Sequence, residues 1–170
     1  MTTEVFNLIK TKRAVRRFRD EPLPDEVVRE ILDAGRRSGS SKNTQPWEFI
    51  AVRDRKTLRA LSQAGVYAEH LAGAALGVVF AVPQPSPSRT PDYDLGRATQ
   101  NMMLAAWAYG VGSVVAYLHY PEKAREILGV PENYSVEWAI SFGYPAEPQD
   151  RPLRKGGRRA FEEVVHWEKW

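Results

Sequence analysis

Residues 95–109 place Leu95, Ala98, Met102, Leu104, Ala105, Trp107 and Ala108 at helical spacing on most sides of one long segment that begins at Asp94. A helix that is apolar nearly all round has to be enclosed by other elements, because no face of it is content in water. The fold must therefore be built about this helix, which Gly110 and Gly112 terminate. Four β-prone runs offer the walls: residues 47–52, 76–82, 113–118 and 136–142. Helical patterns lie between them without the strict alternation of a doubly wound sheet, so the order reads as α+β. At 170 residues, with 43% hydrophobic and 26% charged residues, one domain spanning 1–170 can bury a single core.

The remaining helices follow from their start and stop signals. Val5, Leu8 and Ile9 define a short first helix that carries a basic run at its C-terminal end, where cations are favoured. Asp25 and Glu26 open a second, with Val27, Val28, Ile31, Leu32 and Ala34 on one face and an end near residues 35–38. Asp54 caps a third in which Leu58 and Leu61 point inward, and residues 67–75 read as its continuation. Pro121 opens a helix ending at Leu128 and Gly129. A last short helix and tail over 161–170 carry Trp167 and Trp170, which should dock on the core or on a second subunit. Pro83, Pro85, Pro87 and Pro91, with Ser86 and Ser88, make an irregular loop, either a lid over 84–91 or a plain surface excursion.

Several chemistries are excluded early. The chain has no Cys, which removes disulfides, thiolate metal sites and thiol nucleophiles, and suits a reducing cytoplasm. His70, His119 and His166 do not form a zinc spacing, so a structural or surface role is expected of each. No run approaches a membrane span, and the first ten residues do not form a signal peptide. The glycine-rich phosphate cradles are missing too, so any bound phosphate must be held by side chains.

The side chains for that task are concentrated. Lys10, Lys12, Arg13, Arg16, Arg17 and Arg19 form one acid-free cluster, and Arg151, Arg154, Lys155, Arg158 and Arg159 a second. Setting these eleven aside from the 24 Lys and Arg leaves 13 against 21 Asp and Glu, so the rest of the chain is acidic although the net charge is +3. Two basic segments on an acidic body suit a local anion such as a phosphate better than a nucleic-acid backbone. Residues 38–47, Ser-Gly-Ser-Ser-Lys-Asn-Thr-Gln-Pro-Trp, add far more hydrogen-bonding capacity than a connector needs. They read either as a surface turn anchored by Trp47 or as a ligand site.

Together these segments resemble the FMN-dependent nitroreductase family. Lys12-Arg13-Ala14-Val15-Arg16 followed by Phe18 is similar to the family's Arg-Arg-Ser-x-Arg element, and residues 39–47 resemble its Pro-Ser-x-x-Asn-x-Gln-Pro-Trp signature. Gln100 to Ala106 with Gly110-Val111-Gly112-Ser113, then Phe142-Gly143-Tyr144-Pro145, then Arg158 ahead of Phe161-Glu162-Glu163, match further elements in the same order. The resemblance implies a nitroreductase-like α+β fold with a central, mostly antiparallel sheet flanked by helices. It also implies an interlocked homodimer with two FMN sites shared between subunits. Lys12, Arg13, Ala14, Arg16, Lys155 and Arg158 would then surround the phosphate and ribityl chain, and Gly39, Ser40, Ser41 and Asn43 would reach the flavin from the partner chain. Val115, Ala116 and Tyr117 would lie along the isoalloxazine ring. Three positions depart from the family pattern: Lys12 stands for an Arg, Ala14 for the Ser and Gly39 for the Pro.

The activity so implied is a cytoplasmic two-step cycle in which FMN takes hydride from NAD(P)H and passes electrons to a nitroaromatic, a quinone or a similar acceptor. Nothing in the chain looks like a nucleophile, a general-base triad or a metal site, which a flavoenzyme does not need. Two alternatives remain at this stage: a dehalogenase-like or flavin-cleaving enzyme of the same fold, and a basic module that binds nucleic acid or another polyanion without a cofactor.

Overall fold

A computed structural model describes residues 3–148 and 157–170. Its sheet has the four strands expected: β1 (Glu48–Val52), β2 (Leu76–Pro83), β3 (Gly112–Tyr117) and β4 (Tyr134–Gly143). They lie in the order β1-β2-β4-β3, and every neighbouring pair is antiparallel. Five helices accompany them: α1 (Glu4–Thr11), α2 (Asp25–Arg36), α3 (Arg55–Leu61), α4 (Pro91–Ala108) and α5 (Pro121–Leu128). Strand alternation sends Val78, Phe80, Ile140 and Phe142 to one face of the sheet, where they pack on Ile31 of α2 and Leu95, Ala98 and Met102 of α4. Val79, Ala81 and Ala139 face the other side, against Leu58 and Leu61 of α3 and Ala124 of α5. A bulge between Phe80 and Val82 shifts the register against β4, and Val136 joins that second face.

Several expectations are corrected. α4 starts at Pro91, whose missing N–H costs nothing at the first helical position, so this proline belongs to the helix and not to the loop. Residues 67–75 form only a 3-10 turn, Glu69–Gly73, and the tail only a 3-10 turn, Phe161–Glu163. The loop before α4 is tied down: the Ser88 hydroxyl donates to the Asp94 carboxylate at 2.8 Å, and the Thr90 N–H donates to Ser88 Oγ at 3.1 Å. Nor does one chain enclose α4. Its buried stripe runs through Asp94, Leu95, Ala98, Met102, Met103 and Ala106, while Leu104, Ala105 and Trp107 are half-buried and Ala108 is exposed. Val5, Phe6 and Ile9 of α1 stay more than half exposed, and Trp167 and Trp170 do not dock on the core.

The N-terminal segment after α1 rests on a floor of glycine. Gly112 and Gly143 are direct partners across β3 and β4. A Cβ on Gly112 would come within 2.6 Å of Val15 Cβ, and one on Gly143 within 2.9 Å of Phe18 Cβ. The contact is locked by the Val15 N–H donating to the Ser113 carbonyl at 3.0 Å and the Arg19 N–H to the Tyr144 carbonyl at 2.8 Å. Gly112→Ala is therefore expected to cost about 1–3 kcal/mol, because the clash falls on a β-branched Cβ with no rotamer to retreat into. A fall in urea midpoint without a change in slope is the measurement.

His70 is buried under the same sheet, its Nδ1 2.7 Å from the Ser141 hydroxyl. Burial, helped by the nearby Arg16 charge, pushes its pKa down from 6.5 to about 4. The unfolded chain binds this proton below pH 6.5 and the folded one only near pH 4. Stability is thus full above pH 6.5 and falls as the pH drops through that window, by on the order of 3 kcal/mol. Urea unfolding between pH 7 and pH 4.5 should show the decline, and His70→Asn should flatten it.

Candidate functional site

The first half of the site is the basic segment held on the glycine floor. Five of its six cations separate into two groups. Arg17 pairs with Glu147 at 3.3 Å, and Arg19 pairs with Glu21 at 3.1 Å while lying over the Tyr144 ring. Among the described residues no carboxylate pairs with Lys12, Arg13 or Arg16. One guanidinium nitrogen of Arg13 donates to the Lys10, Thr11 and Lys12 carbonyls, closing the C-terminal end of α1, yet its Nε is buried without a partner. Lys12 is half-buried with Nζ 3.9 Å from the Met103 sulfur, and desolvation lowers its pKa from the usual lysine value. Cations kept partly out of water without a counter-charge are costly unless an anion joins them, and the orphaned Arg13 Nε asks for an acceptor.

This segment lies along the outer edge of the sheet. Ala14 bridges to Ser113 in parallel, and the Ser113 carbonyl accepts from Val15. The Leu118 N–H donates to the Glu137 carbonyl on the β4 side. Peptide groups alternate along a strand, so Val114 and Ala116 face β4 while Ser113, Val115 and Tyr117 face outward. Beyond Ser113, the Val115 and Tyr117 N–H groups have no partner among the described residues. Ser113 Oγ is also buried without one.

The second half is the polar loop, and it is ordered. Ser41–Asn43 form a 3-10 turn in which Lys42 has φ of 51°. Asn43 and Gln45 also have positive φ, 56° and 46°. Three non-glycine residues in the left-handed region within four positions store strain that surrounding contacts must hold. The Gln45 N–H donates to Ser40 Oγ at 2.8 Å, and the Ser41 N–H to the buried Asp94 carboxylate at 3.2 Å. Asn101 donates to Ser38 Oγ at 2.7 Å. Gly39 lies against Arg97, whose flexible guanidinium would have to move aside for a Cβ placed 2.6 Å away. Asp94 and Asn101 hold the loop by hydrogen bonds and Arg97 lies against it, roles that apolar spacing does not record. Their spacing, three and then four residues, is a single polar stripe.

Both halves lean on α4, but at different places. The loop touches residues 94–101, whereas the basic segment and α1 touch Met103 and Trp107, whose indole N–H donates to Thr11 Oγ1 at 3.1 Å. Asp94 and Met103 are separated by about 14 Å along a helix rising 1.5 Å per residue. No hydrogen bond among the described residues joins the two halves. The open groove of about 840 Å³ beside Gln45, Trp47 and Phe49 includes no residue of the basic segment. Arg158 is exposed and makes no contact with Lys12, Arg13 or Arg16 among the described residues. Lys155 lies outside the described residues. No group of three or more His, Asp or Glu among them is arranged to hold a metal ion, and no helix among them is long and apolar enough to cross a membrane.

The sequence profile of the nitroreductase family matches residues 9–66 and 61–144. The chain is 35% identical, over 98% of its length and 99% of the relative's, to an Archaeoglobus fulgidus protein whose name pairs NADH dehydrogenase with NAD(P)H nitroreductase. It is 31% identical to an NADH dehydrogenase of Thermus thermophilus over 92% of both chains. Among solved structures, an FMN-dependent nitroreductase from Clostridium difficile superposes with a TM-score of 0.85 at 28% identity, covering 96% of this chain and 98% of that one. An NADPH:FMN oxidoreductase from Vibrio harveyi, solved with NAD+, gives 0.83 at 26% identity, covering 99% of this chain and 78% of that one. An uncompensated cationic segment beside an unpaired strand edge is thus found in a chain that belongs to the nitroreductase family.

Proposed function

We propose that this protein is a cytoplasmic NAD(P)H-dependent oxidoreductase that holds FMN in sites shared by the two subunits of a homodimer and reduces quinones, nitroaromatics or similar acceptors. The observation that carries the reading is the set Lys12, Arg13 and Arg16, left without carboxylate partners among the described residues beside the free edge of β3. A phosphate monoester supplies what these groups lack: negative charge and several acceptors, one of them for Arg13 Nε. The outward N–H groups of Val115 and Tyr117 are donors preset along the strand, suited to a ring that becomes electron-rich on reduction. Ala14 contributes its backbone bridge to Ser113, and Ala116 faces the core, so that these two shape the site without polar contact. Arg158 and Lys155 are assigned to the phosphate by family resemblance alone.

Bound FMN would accept a hydride from NAD(P)H and, with one further proton, reduce a quinone to its hydroquinone. The chain's part is to bind and orient. Lys12, Arg13 and Arg16 fix the phosphate end, and the β3 edge fixes the plane of the ring. Gly39, Ser40, Ser41 and Asn43 close the site from the partner chain. That assignment to the partner is supported by the separation of the two halves along α4 and by the open apolar surface of α1 and α4, which a second subunit would cover. The loop over 84–90, pinned through Ser88 to Asp94, favours a general reductase over a dehalogenase-like or flavin-cleaving enzyme with a dedicated lid.

The purified protein should carry flavin absorbance or gain it on incubation with FMN; a protein that stays colourless defeats the reading. Arg13→Ala and Arg16→Ala are each expected to weaken FMN about 10- to 100-fold, the loss for one hydrogen bond to a charged group. Fluorescence titration measures it.

A mixed dimer tests the sharing of sites. Arg13→Ala and Asn43→Ala chains, each poor in flavin alone, are co-expressed. If each site draws on both chains, a hybrid dimer has one site with both changes and one with neither, and about a quarter of all sites regain tight binding under random twofold assembly. If each site belongs to one chain, none does.

A further inference from the structure

Four aromatic rings follow one another beyond the C-terminal end of the β3 edge. Trp138 meets Tyr117 at 4.9 Å between centroids, Tyr117 meets His119 at 5.0 Å, and His119 meets Tyr67 at 6.2 Å, all edge-to-face. Tyr117 is 42% exposed and Tyr67 78%. Rings this exposed are normally free to move, but the turn that carries Tyr67 is latched to the strand. The Tyr120 N–H donates to the Ala64 carbonyl at 2.9 Å, and the Val66 N–H donates to His119 Nδ1 at 3.2 Å. Gly65 packs so tightly on the Tyr117 carbonyl that a Cβ would approach it to 2.4 Å. His119 Nδ1 also lies 3.2 Å from the Tyr117 carbonyl, so this one ring nitrogen sits between the turn and the strand.

We propose that Tyr67, Tyr117 and His119 form the platform on which the electron acceptor docks, and that they select for planar, electron-poor aromatic rings. The reading rests on the flavin function proposed above. The run starts at Tyr117, whose own N–H lies on the strand edge assigned to the cofactor, so a molecule on these rings is next to the reducing centre. Electron-rich phenol faces attract an electron-poor quinone or nitroaromatic ring through complementary quadrupoles. A bulky inorganic acceptor gains nothing from them. Edge-to-face packing covers at most one face of a ring at each contact, and the latch holds the turn that carries Tyr67 in place before the acceptor arrives, which lowers the ordering cost of binding.

The test uses the FMN-loaded protein with saturating NADH and two acceptors, 2-methyl-1,4-naphthoquinone and ferricyanide. Tyr67→Leu keeps bulk and removes the aromatic face, and Tyr67→Phe restores the face without the hydroxyl. The expected result is a KM for the naphthoquinone raised about 2- to 10-fold in Tyr67→Leu, the range of one aromatic pair. Its kcat should change less, Tyr67→Phe should recover the KM, and the naphthoquinone-to-ferricyanide ratio of kcat/KM should fall. An unchanged naphthoquinone KM overturns the proposal, as does a parallel loss with both acceptors. Dissociation of the Tyr67→Leu dimer in sedimentation would assign the ring to a subunit contact and overturn it too. Flavin absorbance, read first, separates these outcomes from failure of the flavin reading itself, which would remove both.

Discussion

The absence of two side chains positions the charge in this protein. Gly112 and Gly143 face each other across β3 and β4, and Val15 and Phe18 lie directly on them. Any Cβ at either place would lift the segment from the sheet. Because Val15 and Phe18 are fixed, the residues around them are fixed as well. Arg16 is held near His70, Arg13 turns back over the end of α1, and Lys12 is pressed toward Met103. Cations near the end of an exposed helix would otherwise be solvated and mobile, and would bind an anion only after losing that freedom. Here the backbone that carries them is held in place before any ligand arrives.

The second organising element is α4, with a different role at each end. Asp94 is buried and accepts from both the Ser41 N–H and the Ser88 hydroxyl, so one carboxylate joins the strained polar loop to the loop preceding the helix. Nine residues later Met103 supports Lys12. A cofactor bridging Asp94 and Met103 within one chain would have to reach about 14 Å along the helix, whereas the twofold pairing proposed above, through the open faces of α1 and α4, would bring the loop of one chain toward the cations of another. The apolar residues that a single chain leaves in water and the separation of the two halves both fit that proposal.

Much of the fold was legible because it rests on periodicity. The four strands, α2 and α5 fall within a residue or two of the runs that suggested them, since their apolar spacing and caps are local properties, whereas α3 stops at Leu61 short of its expected continuation. What escaped was set by tertiary contact. Gly112 was read as a helix stop, though its main constraint is the Val15 side chain from far along the chain. Asp94 was read as the start of a helix, though its partners are Ser41 and Ser88. The apolar residues on most sides of 95–109 suggested an enclosed helix, yet one chain buries only one stripe; periodicity records that a face is apolar and not which molecule covers it. The basic residues were legible as a cluster, but only ion-pair geometry separated Arg17 and Arg19, which are neutralised, from Lys12, Arg13 and Arg16, which are not.

The substitution of Lys12 for the family's arginine takes on a physical meaning in this setting. A guanidinium stays charged whatever its surroundings and binds phosphate through two parallel hydrogen bonds. An ammonium is a point charge whose protonation responds to burial, and desolvation against Met103 already lowers the Lys12 pKa. An anion beside Nζ acts in the opposite direction, because it stabilises the charged form. Binding and protonation are therefore linked: the same contact that recovers the desolvation cost of Lys12 also holds the ligand, and neither is fully favourable alone. The loss of a bidentate contact is thus offset in part by a charge that the protein has kept half out of water. Arg13, with its buried unpartnered Nε, supplies the directional donor that a lysine cannot.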